Sequence, residues 1–271
     1  MTDFIRVTCI NLKKEVTDIA IAMLTHLGFE GFEEGEDFLL AYINKDDLDE
    51  TLLKNLSNQL QFVYRMDAIA PRNWNAEWES HFEPVMIDDF IMVRAHFHKP
   101  VVTIQHDIII TPKMSFGTGH HATTTLMIQQ MRDLNFHNKT VLDFGTGTGI
   151  LAILAEKFGA IDVLTIDNDD WSIENCRENI ERNGCSHIQI EQRNDANVKR
   201  LFDVILANIN RNVITNNLSF LFENLREGGC LLLSGLLVED EDIIREEAVR
   251  YHLTCKNIRQ RLQWISLLFS R

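Results

Sequence analysis

The sequence predicts an α/β protein: a doubly wound, mainly parallel seven-stranded sheet preceded by a small α+β domain. Three observations predict it. From about residue 120, strand-like and helix-like segments alternate, the rhythm of a parallel sheet covered on both faces. A glycine-rich turn, Gly145–Gly149, joins an apolar strand directly to a helix. The last two strand-like segments are separated only by a short polar turn, so they pair antiparallel and close the sheet with a hairpin.

In chain order, Phe4–Asn11 reads as a strand. Val16, Ile19, Ala20, Met23, Leu24 and Leu27 then recur at helical spacing, and Gly28 suits the helix stop. Phe38–Ile43 reads as a strand, Asp49–Leu60 as a helix and Gln61–Tyr64 as a further extended run. The pattern changes near residue 65 and again near 115, which gives an N-terminal α+β domain over 1–65, a linker and β-rich extension over 66–115, and a main domain over 116–271. Trp74 and Trp78 fall in the connecting stretch, and Phe90–Val93 and Asp107–Ile110 read as a hairpin or a pair of extended strands. In the main domain, helix Thr123–Leu134 precedes strand Thr140–Asp143. Helices Ile150–Phe158, Trp171–Asn183, Val213–Leu225 and Asp240–Tyr251 then alternate with strands Val163–Ile166, Ile188–Ile190, Asp203–Ala207 and Cys230–Leu233. Strands Thr254–Arg259 and Trp264–Phe269 end the chain, seven strands in all.

Composition narrows the function. The 271 residues correspond to one large or two unequal domains at roughly 100–200 residues each. No run reaches the roughly 18 apolar residues a membrane helix needs, and Met1–Arg6 lacks a basic segment followed by an apolar one, so neither a span nor a signal peptide is expected. The five cysteines are scattered and odd in number, which suggests reduced thiols in a cytosol rather than a disulfide framework or a metal site. A net charge of −14 opposes a nucleic-acid surface, which needs clustered Lys and Arg. It suits a basic protein partner: residues 1–70 hold six Lys+Arg against thirteen Asp+Glu, a balance of −7, although simple solubility explains that equally well.

The glycine-rich turn is the strongest chemical signal. In Asp143-Phe144-Gly145-Thr146-Gly147-Thr148-Gly149 the spacing is Gly-x-Gly-x-Gly, not the Gly-x-Gly-x-x-Gly of dinucleotide folds. An acid two residues before the first glycine would repel a pyrophosphate and attract the ammonium and sulfonium end of S-adenosylmethionine. Asp167, followed by Asn168, ends the next strand about 20 residues beyond the loop, where nucleoside-binding folds place the acid that accepts ribose hydroxyls. Asn194-Asp195-Ala196 follows the third strand, and Asp195 is a candidate acceptor for the adenine amine; a plain surface loop is the alternative. Asn208 and Ile209 sit at the carboxyl end of the fourth strand, where a carboxamide offers one acceptor and two donors. Phe116-Gly117-Thr118-Gly119-His120-His121 precedes the first helix of the domain, with Thr123 or Thr124 as its cap; adjacent histidines point in different directions and make a poor metal pair.

Together these motifs, with Gly228-Gly229 and Ser234-Gly235, resemble the PrmA family, which methylates protein eleven of the large ribosomal subunit. The resemblance spans about residues 70–271. It implies a Rossmann-like class I methyltransferase, S-adenosylmethionine as cofactor, N-methylation of lysine side chains and an N-terminal amine, and an N-terminal domain that recognises the basic ribosomal substrate. Motif by motif it assigns cofactor contacts to Thr124, Gly145, Asp167 and Asn208, to which the loop residues Phe116, Gly117, Thr118, Asp143, Thr146, Gly147, Asn168 and Asp195 are added. Asn208, Ile209 and His121 are the candidates for the reaction, His121 as a base or only as a shaper of its loop. Two departures stand out: Asn210 follows Asn-Ile where the family usually has Leu, and Thr146 stands where Cys is common. A cytoplasmic monomer that contacts neither membrane nor nucleic acid is expected. A methyltransferase of RNA or of a small-molecule amine, a nicotinamide-dependent oxidoreductase and a non-catalytic cofactor-binding module are the rival readings.

Overall fold

The computed structural model describes residues 4–12, 16–29, 31–35, 38–69, 82–101, 103–111 and 117–271. Trp74, Trp78 and Phe116 lie outside them. Two compact units divide the chain, residues 1–80 and 81–271.

The first unit contains β1 (Phe4–Ile10), α1 (Thr17–His26), β2 (Gly31–Glu34), β3 (Phe38–Asn44), α2 (Glu50–Leu60) and β4 (Val63–Ile69). Its strands form an antiparallel sheet in the order β2-β3-β1-β4. Alternate residues of β3, Leu39, Ala41 and Ile43, turn inward and meet Leu24 of α1 and Leu53 and Leu56 of α2. Asp49 caps α2 by accepting from the amides of Thr51 and Leu52. Strand β2 had no periodic signal: Gly-Phe-Glu-Glu carries one apolar residue. Strand β4 continues to Ile69, past the expected boundary at 65.

The second unit begins with β5 (Val85–Ile87), β6 (Ile91–Arg94) and β7 (His106–Ile109), a separate three-stranded sheet. Here β5 and β6 are antiparallel and β6 and β7 parallel, so the last two are extended partners and not a hairpin. Buried Arg94 grips Asp107 across that pair through two hydrogen bonds of 2.8 and 2.7 Å. Ile91, Val93, Ile108 and Ile110 pack in one cluster with Met127 and Leu154, which makes this stretch part of the second unit's core.

The main sheet follows the predicted rhythm: α3 (Ala122–Met131), β8 (Thr140–Phe144), α4 (Ile150–Lys157), β9 (Asp162–Asp167), α5 (Asp170–Arg182), β10 (Ile188–Gln192), β11 (Phe202–Asn208), α6 (Arg211–Glu223), β12 (Leu225–Leu237), α7 (Glu241–Arg250), β13 (Thr254–Arg261) and β14 (Trp264–Ser270). The order is β10-β9-β8-β11-β12-β14-β13. Pairs among β8 to β12 are parallel, and β14 is antiparallel to both its neighbours. Successive residues of each central strand point to opposite faces. Val141, Val163, Val204 and Leu232 join one buried cluster, with α3 and α4. Leu142, Leu164, Ile205 and Leu231 join the other, with α6 and α7. The chain winds outward from β8 through β9 to β10, then restarts on the other side of β8 with β11. The carboxyl ends of β8 and β11 therefore flank a topological switch point, the ligand-binding position of such sheets. No helix among the described residues is long and apolar enough to cross a membrane.

Side chains of helix α5 and its C-cap hold the end of β7. At its C-terminal end, Asn183 Oδ1 accepts from the Ile109 amide at 3.0 Å and its Nδ2 donates to the Ile109 carbonyl at 2.6 Å. Asn183→Ala leaves both backbone groups unpaired and should lower unfolding free energy by about 1–3 kcal/mol, read from the midpoint of urea denaturation. An unchanged midpoint would show that water replaces the carboxamide.

Candidate active site

A cavity of about 570 Å³ opens at the switch point, within the size range of small-molecule sites. Its floor is the turn after β8. Gly145, Gly147 and Gly149 have φ of 74°, 54° and 81°, so three alternate positions occupy the left-handed region that side chains disfavour. The Gly145 amide donates to the Ile166 carbonyl at 2.8 Å and the Thr146 amide to the same oxygen at 3.2 Å, which ties the turn to β9. Asp167 completes the clasp: its Oδ2 accepts from the Gly147 amide at 2.9 Å and its Oδ1 from the Asp169 amide at 3.1 Å. Each carboxylate oxygen retains a further lone pair for a ligand hydroxyl.

Opposite the turn stand Asn208 and Ile209, at the end of β11. A methyl group added at Gly145 would lie 2.2 Å from Ile209 Cγ2, and one added at Gly235 would lie 2.2 Å from the Ile209 carbonyl oxygen. Ile209 thus fits only because the residues beside it, just after β8 and on β12, are bare. Asn208 lines the cavity, and its Oδ1 is buried with no hydrogen-bond partner among the described residues. Buried acceptors are rarely left unpaired, and the residue that carries this one borders the cavity.

Of the residues expected from sequence, Gly117, His121, Gly145, Thr146, Gly147, Asp167, Asn168, Asn208 and Ile209 line the cavity together. Four do not. Asp143 is 1% exposed beneath the turn, where its Oδ2 accepts the Thr146 hydroxyl at 2.6 Å. Burial pushes its carboxyl up to about 7, against the pull of Thr146. The acid on the cavity wall is Asp167, not Asp143. Thr124 is fully buried on α3. Thr118 pairs with His120 at 3.1 Å, outside the lining. Asp195 is exposed and turns back on its own loop, accepting from the Asn197 amide at 3.0 Å, while Arg193 and Asn194 take its place on the wall.

His121 is the N-cap of α3. Its Nδ1 accepts from the Thr123 amide at 3.3 Å and lies 2.7 Å from the Thr123 hydroxyl, and its ring meets Trp264 edge-on at 4.7 Å. The ring thus borders the cavity as part of the helix cap and of the contact with Trp264. Asn210 likewise caps α6 through the Val213 amide at 3.1 Å. Sequence reading did not place Trp264, Arg193 or Ser172 on the wall. Trp264 arrives through the antiparallel register that sets it against Leu237, a long-range pairing with no local signal.

Comparison with known proteins agrees with this architecture. Residues 13–271 match the family model described as Ribosomal protein L11 methyltransferase (PrmA). A Bacteroides thetaiotaomicron protein named Ribosomal protein L11 methyltransferase is 38% identical over 263 residues, covering 94% of both chains. A Porphyromonas gingivalis protein of the same name is 41% identical, covering 93% of this chain and 90% of its own. The crystal structure of ribosomal protein L11 methylase from Lactobacillus delbrueckii subsp. bulgaricus superposes with a TM-score of 0.65 at 29% identity, over 70% of this chain and 99% of that one.

Two outcomes follow from the geometry. The Gly235 φ is 80°, and the oxygen it faces belongs to backbone, so Gly235→Ala must displace Ile209. If Ile209 positions a reactant, a shift of about 1 Å there costs roughly 100-fold in turnover, the loss expected of a variant whose circular dichroism stays native. Native turnover in that variant would show that Ile209 has room to move. Asp143 gives a pH signature. Its folded carboxyl titrates near 7, above its unfolded value near 4, so its contribution to stability is full below about pH 4 and is lost as pH rises through about 7. Asp143→Asn should therefore lose less stability than the parent between pH 5 and pH 8 in urea titrations; equal losses would mean that the parent's carboxyl does not titrate there.

Proposed function

This chain belongs to the ribosomal protein L11 methyltransferase family, and we propose that it transfers methyl groups from S-adenosylmethionine to lysine and N-terminal amines of ribosomal protein L11. The observation that carries the reading is the orphan Oδ1 of Asn208, buried opposite three left-handed glycines.

The donor set suits S-adenosylmethionine. Gly145–Gly147 would support its amino-acid end, Asp167 would accept its ribose hydroxyls, and Asn168, Arg193 and Asn194 line the wall beyond for the base. When bound, the cofactor supplies an electrophilic methyl group on a sulfonium sulfur. The protein's task is to present a neutral amine in line with it. Asn208 Oδ1 can accept an amine N–H and so point the nitrogen lone pair across the cavity, with the Ile209 backbone as a second contact; this is a proximity contribution. A free lysine has a pKa of about 10.4 and arrives protonated. The apolar wall of Phe144, Ile209, Val213 and Trp264 desolvates an ammonium and favours its neutral form. Among the described cavity residues the ionisable side chains are His121, Asp167 and Arg193, and each is already engaged in a cap, a clasp or its own loop. The amine would therefore lose its proton to solvent.

The acidic first seventy residues support a basic protein substrate, and five free cysteines support action in a reducing cytoplasm. We propose that the chain works there as a monomer. An RNA substrate is disfavoured by the charge of −14.

Asn208→Ala should abolish methyl transfer and raise the dissociation constant for S-adenosylmethionine, measured by calorimetry beside a turnover assay. Labelled cofactor incubated with separated ribosomal proteins and with ribosomal RNA should mark one basic protein. Label in the RNA alone, or full transfer by Asn208→Ala, would reject the proposal.

A further inference from the structure

The floor of the cavity is fastened from behind by a buried hydrogen-bond chain outside the roles assigned above. Asn179 and Thr148 are both fully buried. Asn179 Oδ1 accepts from the Thr111 amide at 2.7 Å, and its Nδ2 donates to the Thr148 carbonyl at 2.8 Å. The Thr148 hydroxyl in turn donates to the Gly117 carbonyl at 2.6 Å. One helical turn before Asn179, Asn175 Nδ2 donates to the Thr111 carbonyl at 3.2 Å. Helix α5, the glycine turn and the backbone at Thr111 and Gly117 are thereby linked.

The chain ends on the cavity wall. Gly117 lines it, and so do Gly147 and Ile150 on either side of the Thr148–Gly149 step. Gly117 has φ of 106°, and a methyl group there would lie 2.7 Å from Thr148 Oγ1. Only a bare backbone lets this hydroxyl reach the carbonyl. A left-handed glycine has little conformational preference of its own, so the hydroxyl selects one conformation among several.

We propose that Thr148 and Asn179 are positioning residues for cofactor binding: they hold Gly117 against the glycine turn, so that the two backbone segments form one wall before the ligand arrives. The proposal rests on the cavity being the S-adenosylmethionine site. Its consequence is specific. Without the hydroxyl, ligand binding must itself order Gly117, and that cost appears in affinity. Once the ligand is bound, the reacting groups stand where they stood before, and the chemical step is unaffected.

The test compares Thr148→Val, which removes the hydroxyl at nearly constant volume, with Thr148→Ser, which keeps it. Each full-length variant is checked for native circular dichroism. Calorimetry then gives the dissociation constant of S-adenosylhomocysteine, and steady-state kinetics give kcat and the KM for S-adenosylmethionine. Thr148→Val should raise both the dissociation constant and KM by roughly tenfold while kcat stays within about twofold, and Thr148→Ser should bind like the parent. Asn179→Leu should also weaken binding, and its combination with Thr148→Val should fall short of the product of the two effects. If Thr148→Val does not fold, Thr148→Ala serves the same comparison. Parent-like affinity in the folded hydroxyl-free variant overturns the proposal, as does equal weakening in Thr148→Ser. A parent protein that binds neither ligand rejects the cofactor reading instead.

Discussion

The site depends on clearance around one residue. Ile209 leaves the end of β11 between the ends of β8 and β12, and both neighbours present a glycine to it. A Cβ on the Gly145 side would overlap the Ile209 side chain, and one on the Gly235 side would overlap its backbone carbonyl. The absence of both makes room for Ile209. Asn208 can then keep its amide at the switch point with a buried oxygen that has no partner among the described residues, and the turn after β8 can fold inward as three left-handed glycines. The most conspicuous sequence motif is thus only half of the device; the other half is Gly235, ninety residues later.

This division explains what could be read from the sequence. The seven strands of the main sheet, their alternation with helices and the antiparallel end are local patterns, and they appear where the periodicity put them. The residues at strand ends, Asp167, Asn208 and Ile209, were legible because a doubly wound sheet has a fixed ligand side. Depth below the surface was not legible. Asp143 and Asp167 both look like acids beside a loop, yet one is enclosed with a threonine hydroxyl and the other faces the cavity. Thr124 is likewise sunk into α3, whereas Asp195 is exposed but turned back by its own loop. Trp264 was invisible because it reaches the wall through strand pairing distant in sequence.

The enclosed acid also changes the electrostatic account of ligand choice. A carboxyl raised to about 7 by burial is a partly protonated hydrogen-bonding group near neutral pH, and its field at the cavity is correspondingly weaker. Discrimination against a diphosphate then falls mainly to Asp167, whose carboxylate already holds the Gly147 amide. That amide is one of those a phosphate would need. With Asp167 occupying it, the turn has spent part of its anion-binding capacity on its own protein.

The sheet ends on β13, a strand with one partner and an irregular register between Cys255 and Asn257. An open strand edge is a template for pairing with other chains, and proteins blunt such edges with bulges and long cationic side chains. Strand β13 has both: the slip in its ladder interrupts the row of free backbone groups, and Lys256, Arg259 and Arg261 stand along it. Adding a further strand there would require a neighbouring chain to match a broken hydrogen-bond repeat beside Lys256 and Arg261, with Arg259 held to Asp133. The same terminal hairpin that delivers Trp264 to the cavity thus carries a blunted strand edge on its outer side.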